Sequence, residues 1–247
     1  MASLAPLLAL GAVTSPLKRR ISPGAQLPAA GSTGPDVRID HGHLAAYARL
    51  CGFTGTDPLP LTYPHVIAFP LALRVMTRRD FPLPLLGLIH TGVTITQHRA
   101  LHPDDRPELT VHADRLVPHR RGTEVHMVSR ARLAGDLVWE SRSTYLARHT
   151  TGERPPTAPD SHRATPGQLP AVADWDLPGD LGRRYGAVSG DRNPVHLYAA
   201  TARLFGFPRP IAHGMWTFAR CVAQAGPAEA VHVQAEFKAP VPLPSTV

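Results

Sequence analysis

Residues 65–78, HVIAFPLALRVMTR, are apolar on nearly every side until the last turn. Only a helix buried all round satisfies that pattern. Residues 88–98, 109–117, 123–133 and 137–148 then alternate apolar and polar side chains, as Val93 and Ile95 do against Thr94 and Thr96. Asp-Asp, Arg-Gly and Gly-Asp pairs separate these segments, so the spacing predicts four antiparallel strands in a meander. A buried helix followed by an antiparallel sheet is an α+β arrangement in which the sheet wraps the helix.

The order of elements then restarts. Residues 41–51 place Leu44, Tyr47 and Cys51 at helical spacing ahead of the first buried helix, and Gly52 ends that helix. In the second half a short strand is expected from Val172 to Trp175, helices from about Gly179 to Tyr185 and Ala199 to Phe205, and a second buried helix after Gly214. A strand begins near Val231. The chain therefore reads as two copies of one unit, with weak identity between them. The expected divisions are a leader and linker over 1–36, a first repeat over 37–150, a linker over 151–170 rich in Pro and Thr, and a second repeat over 171–247. The first repeat has four strands after its buried helix and the second has room for one, with PVPLPSTV resembling a strand about to continue. The expectation is a second repeat about three strands short, with part of its helix uncovered.

Composition narrows the classes. The net charge is +7, carried almost wholly by scattered arginine, since Lys18 and Lys238 are the only lysines. With no block of like charges, nucleic acid is a poor match and phosphates on a coenzyme a better one. Cys51 and Cys221 stand far apart in apolar, helix-like contexts, as two buried free thiols would. The apolar run from Leu4 to Val13 is too short to span a bilayer, and its positive charges, Lys18, Arg19 and Arg20, follow it instead of preceding it. It is expected to be a short helix or a mobile leader in a cytoplasmic protein with no membrane partner.

Two stretches carry chemistry. In YGAVSGDRNPVH, Tyr185 to His196, a carboxylate, an amide and an imidazole fall within six positions. Gly190 permits a sharp turn and Pro194 stops Asn193 from continuing a helix, so the loop can aim Asp191 and His196 at one point. Such a pair can take one proton from a water and deliver another. The same residues also suit an ordinary Asx-turn before a short helix. In RPIAHGM, Arg209 to Met215, the chain enters the second buried helix at Gly214. A ligand carbonyl can approach free backbone N–H groups there.

Together these stretches resemble the MaoC-like family of (R)-specific enoyl-CoA hydratases and 3-hydroxyacyl-thioester dehydratases, double hot-dog type. The resemblance rests on Tyr185, Ser189, Gly190, Asp191, Asn193, Pro194 and His196, then Pro210, Ile211, His213, Gly214 and Met215. It implies that Asp191 and His196 hold the catalytic water, that Asn193 supports the loop or the water, and that the Gly214 N–H binds the thioester oxygen. It further implies substrate contacts at Ser189, Gly190, His213 and Met215, and places Lys238 near the phosphates of a coenzyme A or carrier-protein arm. No metal and no redox cofactor is expected. The first repeat lacks the Asp-x-Asn-Pro-x-His loop and is expected to shape the acyl pocket. Where some family members have a serine bonded to the catalytic Asp, this chain has Val222. A homodimer is a possible assembly. The rival readings are an acyl-CoA thioesterase and a non-catalytic acyl-thioester-binding or partner subunit. Metal sites at His112 with Asp114, or His90 with His98, lack a recognised spacing. Ser189 does not stand in a nucleophile-elbow motif.

Overall fold

The computed structural model describes residues 4–18, 24–150 and 173–247. The whole of the expected linker over 151–170 lies outside them, as does Val172 of the strand expected at Val172–Trp175. The chain opens with α1 (Ala5–Thr14), a 3-10 turn over Ser15–Lys18 and the short β1 (Ser32–Gly34). Next come α2 (His41–Cys51) and α3 (Tyr63–Met76). Asp40 caps α2 by accepting from the His43 N–H, and Gly52 closes it in the left-handed region at φ 77°. Pro64 lies in the first turn of α3, where a missing N–H costs nothing, and the helix runs on through Pro70 to Met76.

Four long strands follow: β2 (Leu88–Gln97), β3 (Glu108–His119), β4 (Gly122–Leu133) and β5 (Asp136–Arg148). All four expected strands are present, but they do not form one meander: β3, β4 and β5 pair in sequence, and β2 lies against β5 instead of β3. Their inward face buries Val93, Ile95, Leu109, Val111, Met127 and Trp139 in one core with Val66, Ala72 and Val75 of α3. The Trp139 indole N–H also donates to the Leu61 carbonyl at 2.9 Å, which pins the approach to α3 against the sheet.

The second repeat comprises β6 (Asp176–Leu177), α4 (Leu181–Ser189), a 3-10 turn over Pro194–His196, α5 (Ala199–Arg203), α6 (Gly214–Ala225), β7 (Val231–Glu236) and β8 (Ser245–Thr246). β7 pairs antiparallel with β2, from Gly92 opposite Glu236 to Gln97 opposite Val231. The two repeats thus share one six-stranded sheet in the order β1-β3-β4-β5-β2-β7. This is the α+β double hot-dog arrangement, with α3 as the central helix of the first repeat and α6 the counterpart in the second.

Several expectations are corrected. The strand expected at Val172–Trp175 forms one step later as β6, which pairs with β8. The tail does not continue as a neighbour of β7. It turns back, so that the Ala212 N–H donates to the Val241 carbonyl and the Leu243 N–H to the Pro210 carbonyl. Leu243 is thereby buried beside Met215, Trp216 and Phe218, and the Trp216 indole donates to the Leu50 carbonyl of α2 at 3.1 Å. The first half of α6 is covered by the tail and by the first repeat. Cys51 is buried but Cys221 is exposed, because residue 221 falls on the outer side of α6. β1 lies inside a segment read as linker and pairs with β3.

The leader is docked. The Leu86 N–H donates to Ser15 Oγ at 2.9 Å, and Lys18 Nζ donates to the Arg78 carbonyl at 2.6 Å. Among the described residues no helix is long and apolar enough to cross a membrane.

Trp139 is 0% exposed, so Trp139→Ala removes its volume and its hydrogen bond together. The expected loss is about 3–5 kcal/mol of unfolding free energy, measured by urea titration.

Candidate active site

The Asp191 loop is built by the end of α4. Gly190 takes φ 77° and donates its N–H to the Gly186 carbonyl, turning the chain sharply. Asp191 follows, and the Asn193 N–H donates to Asp191 Oδ1 at 3.1 Å. Asn193 Oδ1 in turn accepts from the Val195 N–H at 3.4 Å, capping the 3-10 turn that carries His196. Gly182 on α4 lies directly beneath this turn, and a Cβ there would overlap the His196 carbonyl. No sequence motif marks this glycine, since its contact joins positions 14 apart across two elements.

Two imidazoles meet the carboxylate. His196 Nδ1 lies 2.8 Å from the Ile211 carbonyl, which can only accept. Nδ1 therefore carries the proton and Nε2 keeps a lone pair. His213, 3% exposed, stacks on His196 with ring centroids 3.6 Å apart. Its Nε2 donates to the Asp191 backbone carbonyl at 2.9 Å and lies 3.9 Å from Oδ2.

Burial sets the protonation states. Burial lowers the pKa of His196, although Asp191 pulls the other way, and pushes His213 down to about 3. Burial alone would raise Asp191, but the His213 and His196 imidazoles and the Asn193 N–H outweigh it and hold the carboxyl below its ordinary value. Near neutral pH the site is one carboxylate among neutral imidazoles.

Asp191, Asn193, His196, His213, Gly214 and Met215 border one cavity of about 1070 Å³. The Gly214 N–H opens α6 and stands ahead of its hydrogen-bond ladder. A Cβ on Gly214 would come within 2.9 Å of the Phe237 ring, so only glycine fits. Two residues named from the sequence stand elsewhere, and a third is already engaged. Ser189 is buried, donates to the Tyr185 carbonyl at 2.8 Å and accepts from the Asp191 N–H at 3.2 Å, a helix-end role without cavity contact. Gly190 packs on Leu4 of the leader. Lys238 borders the cavity but is paired with Glu236 at 3.1 Å. Val222 packs partly buried against the core, and the Asn193 N–H supports Asp191.

The first repeat contributes residues that no motif marked. His90 borders the cavity with its ring 4.4 Å from Tyr145, and Tyr145 is His90's strand partner ahead of a register shift in β2. Burial pushes His65 down to about 4 and His90 down to about 3, both in the field of Asp191. His98 stands apart, facing Glu140 at 3.8 Å. Asp114 is held by Arg115 and Arg142. Asp191, His196 and His213 offer ligand atoms all within 4.8 Å of one another. The His213 Nε2 is already committed to the Asp191 carbonyl.

The MaoC like domain matches residues 160–247. The 3-hydroxyacyl-thioester dehydratase X of Mycobacterium tuberculosis is 38% identical over 226 residues, which cover 90% of this chain and 79% of that protein. The chain belongs to the MaoC-like dehydratase family. A crystal structure of HtdX from Mycobacterium tuberculosis has a TM-score of 0.76 at 35% identity, over 88% of this chain and 86% of that one. A MaoC-like dehydratase from Phytophthora capsici shares the fold, with a TM-score of 0.70 at 17% identity over 92% and 86% of the two chains. Membership in this family makes the protein a hydro-lyase.

Two outcomes test the site. Asp191 raises the affinity of His196 for a proton, so Asp191→Asn is expected to move the His196 titration, followed by NMR, to lower pH. The buried His65, His90 and His213 refuse protons that the unfolded chain accepts below about pH 6.5. Their folded values are depressed, so stability is expected to fall as pH drops from about 6.5 towards 4, read as a declining urea midpoint.

Proposed function

We propose that this MaoC-like protein catalyses the reversible hydration of trans-2-enoyl thioesters to (R)-3-hydroxyacyl thioesters, with Asp191 and His196 acting on one water. The observation that carries the reading is the convergence of three groups on one cavity: an ionised carboxylate, an imidazole with a bare Nε2, and the free N–H at the start of α6.

In the hydration direction the thioester oxygen accepts from the Gly214 N–H. The water lies between Asp191 and His196 Nε2. Its oxygen attacks the β-carbon as one of its protons passes to the pair. The electrons of the double bond move to the α-carbon and thioester oxygen as an enolate, which the Gly214 N–H and the helix start stabilise. The proton held by the pair then goes to the α-carbon, so atoms and charge balance. Dehydration is the same path reversed. The 3-hydroxyacyl-thioester dehydratase named among the relatives supports this substrate class.

The cavity walls suit a bipartite substrate. Leu204, Phe205, Phe207 and Val241 give it one apolar stretch, which would take the acyl chain. Arg120 and Arg121 at the β3–β4 turn, and Arg148 opposite Gly122 in the register, border it as well. Among the described residues none of these three arginines is paired with a carboxylate. They suit the phosphates of a coenzyme A or carrier-protein arm better than Lys238, which is already paired.

The test is the loss of enoyl-thioester absorbance with short and long trans-2-enoyl-CoA substrates. Asp191→Asn is expected to lower kcat by at least about a hundredfold with the fold retained. Loss of the band with stoichiometric release of free thiol would replace hydration by a thioesterase reaction, since hydration removes the band and releases no thiol. A folded parent with neither activity would leave a binding role. The double change Arg120→Glu with Arg121→Glu is expected to raise KM for the CoA substrate by about tenfold at low salt, with a smaller effect as salt is added.

A further inference from the structure

His43 stands on α2, in the first repeat and outside every motif described above. The Asp40 side chain accepts from its backbone N–H at 2.9 Å, which fixes its place in the first turn of the helix. Its ring bridges two other elements. Nε2 lies 2.6 Å from the Val188 carbonyl of α4, and Nδ1 lies 2.8 Å from the Tyr63 hydroxyl at the start of α3. A carbonyl only accepts, so Nε2 carries the proton and donates it to Val188. Nδ1 then holds a lone pair and accepts from the Tyr63 O–H. Burial keeps that phenol protonated, and Asp40 adds to the effect. Each donor matches each acceptor, so the tautomer and the ring orientation are both determined.

Val188 is the next-to-last residue of α4, where helix carbonyls have no intrahelical partner. Three positions later comes Asp191. Between them, Gly190 turns back on the Gly186 carbonyl and the Asp191 N–H donates to Ser189 Oγ. The backbone that aims the carboxylate is therefore tied at its root to the first repeat by one imidazole. A second contact runs beside it, since the Tyr47 ring of α2 lies 6.3 Å from that of Tyr185, which in turn lies 4.9 Å from His213.

We infer that His43 is a positioning residue for the Asp191 loop, acting through the Val188 carbonyl with its tautomer set by Tyr63. The first repeat supplies the reference frame for the acid–base pair in addition to pocket walls. The inference rests on the proposed role of Asp191. Displacing a carboxylate by a fraction of an ångström lowers turnover far more than substrate affinity.

The experiment compares wild type, His43→Ala, His43→Gln and Tyr63→Phe. Circular dichroism confirms the fold, and two readouts follow: enoyl-CoA hydration and amide hydrogen exchange. His43→Ala is expected to lower kcat by about tenfold to a hundredfold with KM within about twofold. His43→Gln, whose amide can still donate to Val188, is expected to recover a substantial part of that loss. Tyr63→Phe is expected to fall between. Exchange at the Gly190 and Asn193 amides is expected to quicken in His43→Ala. Unchanged kcat in folded His43→Ala overturns the inference, as does an equal loss in His43→Gln, and as does unchanged exchange at those amides. A wild type that does not turn over enoyl thioesters sinks the hydratase reading instead, and the exchange comparison still decides whether His43 fixes the loop.

Discussion

The pairing of β2 with β7 is the constraint on which the rest of the molecule depends. Six residue pairs, from Gly92 opposite Glu236 to Gln97 opposite Val231, merge two repeats into one sheet. The register shift in β2 between His90 and Gly92 falls where that ladder ends, and the Phe237 N–H donates to the Thr91 carbonyl at 2.8 Å there. The Phe237 ring is thereby laid over Gly214, and His90 is turned to the cavity. A strand pairing between repeats thus decides which groups of the first repeat face the helix start of the second. Slippage by one residue would send every side chain of β7 to the opposite face.

The electrostatics follow from that enclosure. Asp191 is half-buried, and a carboxylate drawn partly out of water would ordinarily hold its charge less readily. Asp191 keeps it because His213, His196 and the Asn193 N–H surround it. Those imidazoles are themselves held neutral by burial, so they serve as hydrogen-bonding groups near neutral pH. The same walls leave His65 Nδ1, His90 Nε2 and His213 Nδ1 buried without a partner among the described residues. Unsatisfied polar atoms cost stability, on the order of 1–3 kcal/mol each.

Much of this was legible in the sequence because it is local or periodic. The alternation of Val93 and Ile95 with Thr94 and Thr96 shows the strands, and the all-round apolar run over 65–78 shows the first buried helix. Gly190, Asp191, Asn193 and His196 mark a loop whose hydrogen bonds span two to four positions, which a motif can encode. What the sequence hid is long-range. β1 has three residues and exists only because β3 offers it an edge. The tail after Phe237 shows strand-like residues, but its turn back to Pro210 and Trp175 is decided by packing on α6. His43, His90 and Tyr145 carry no local signature, since their partners lie in other elements. Cys221 looks buried by composition and is exposed because the adjacent Val222 takes the inner position.

The central claim is that one water, held by Asp191 and His196 on one face of the substrate, supplies both the hydroxyl and the proton. Hydration of a trans-2-enoyl thioester in D2O tests it most directly, with the configuration at both carbons of the product determined. The account predicts an (R)-3-hydroxyacyl thioester with one deuterium at the α-carbon, added to the same face as the hydroxyl. Addition to opposite faces would contradict it, because that outcome needs a second proton source across the cavity, and an (S)-hydroxyl would contradict it by placing the water on the other face of the double bond.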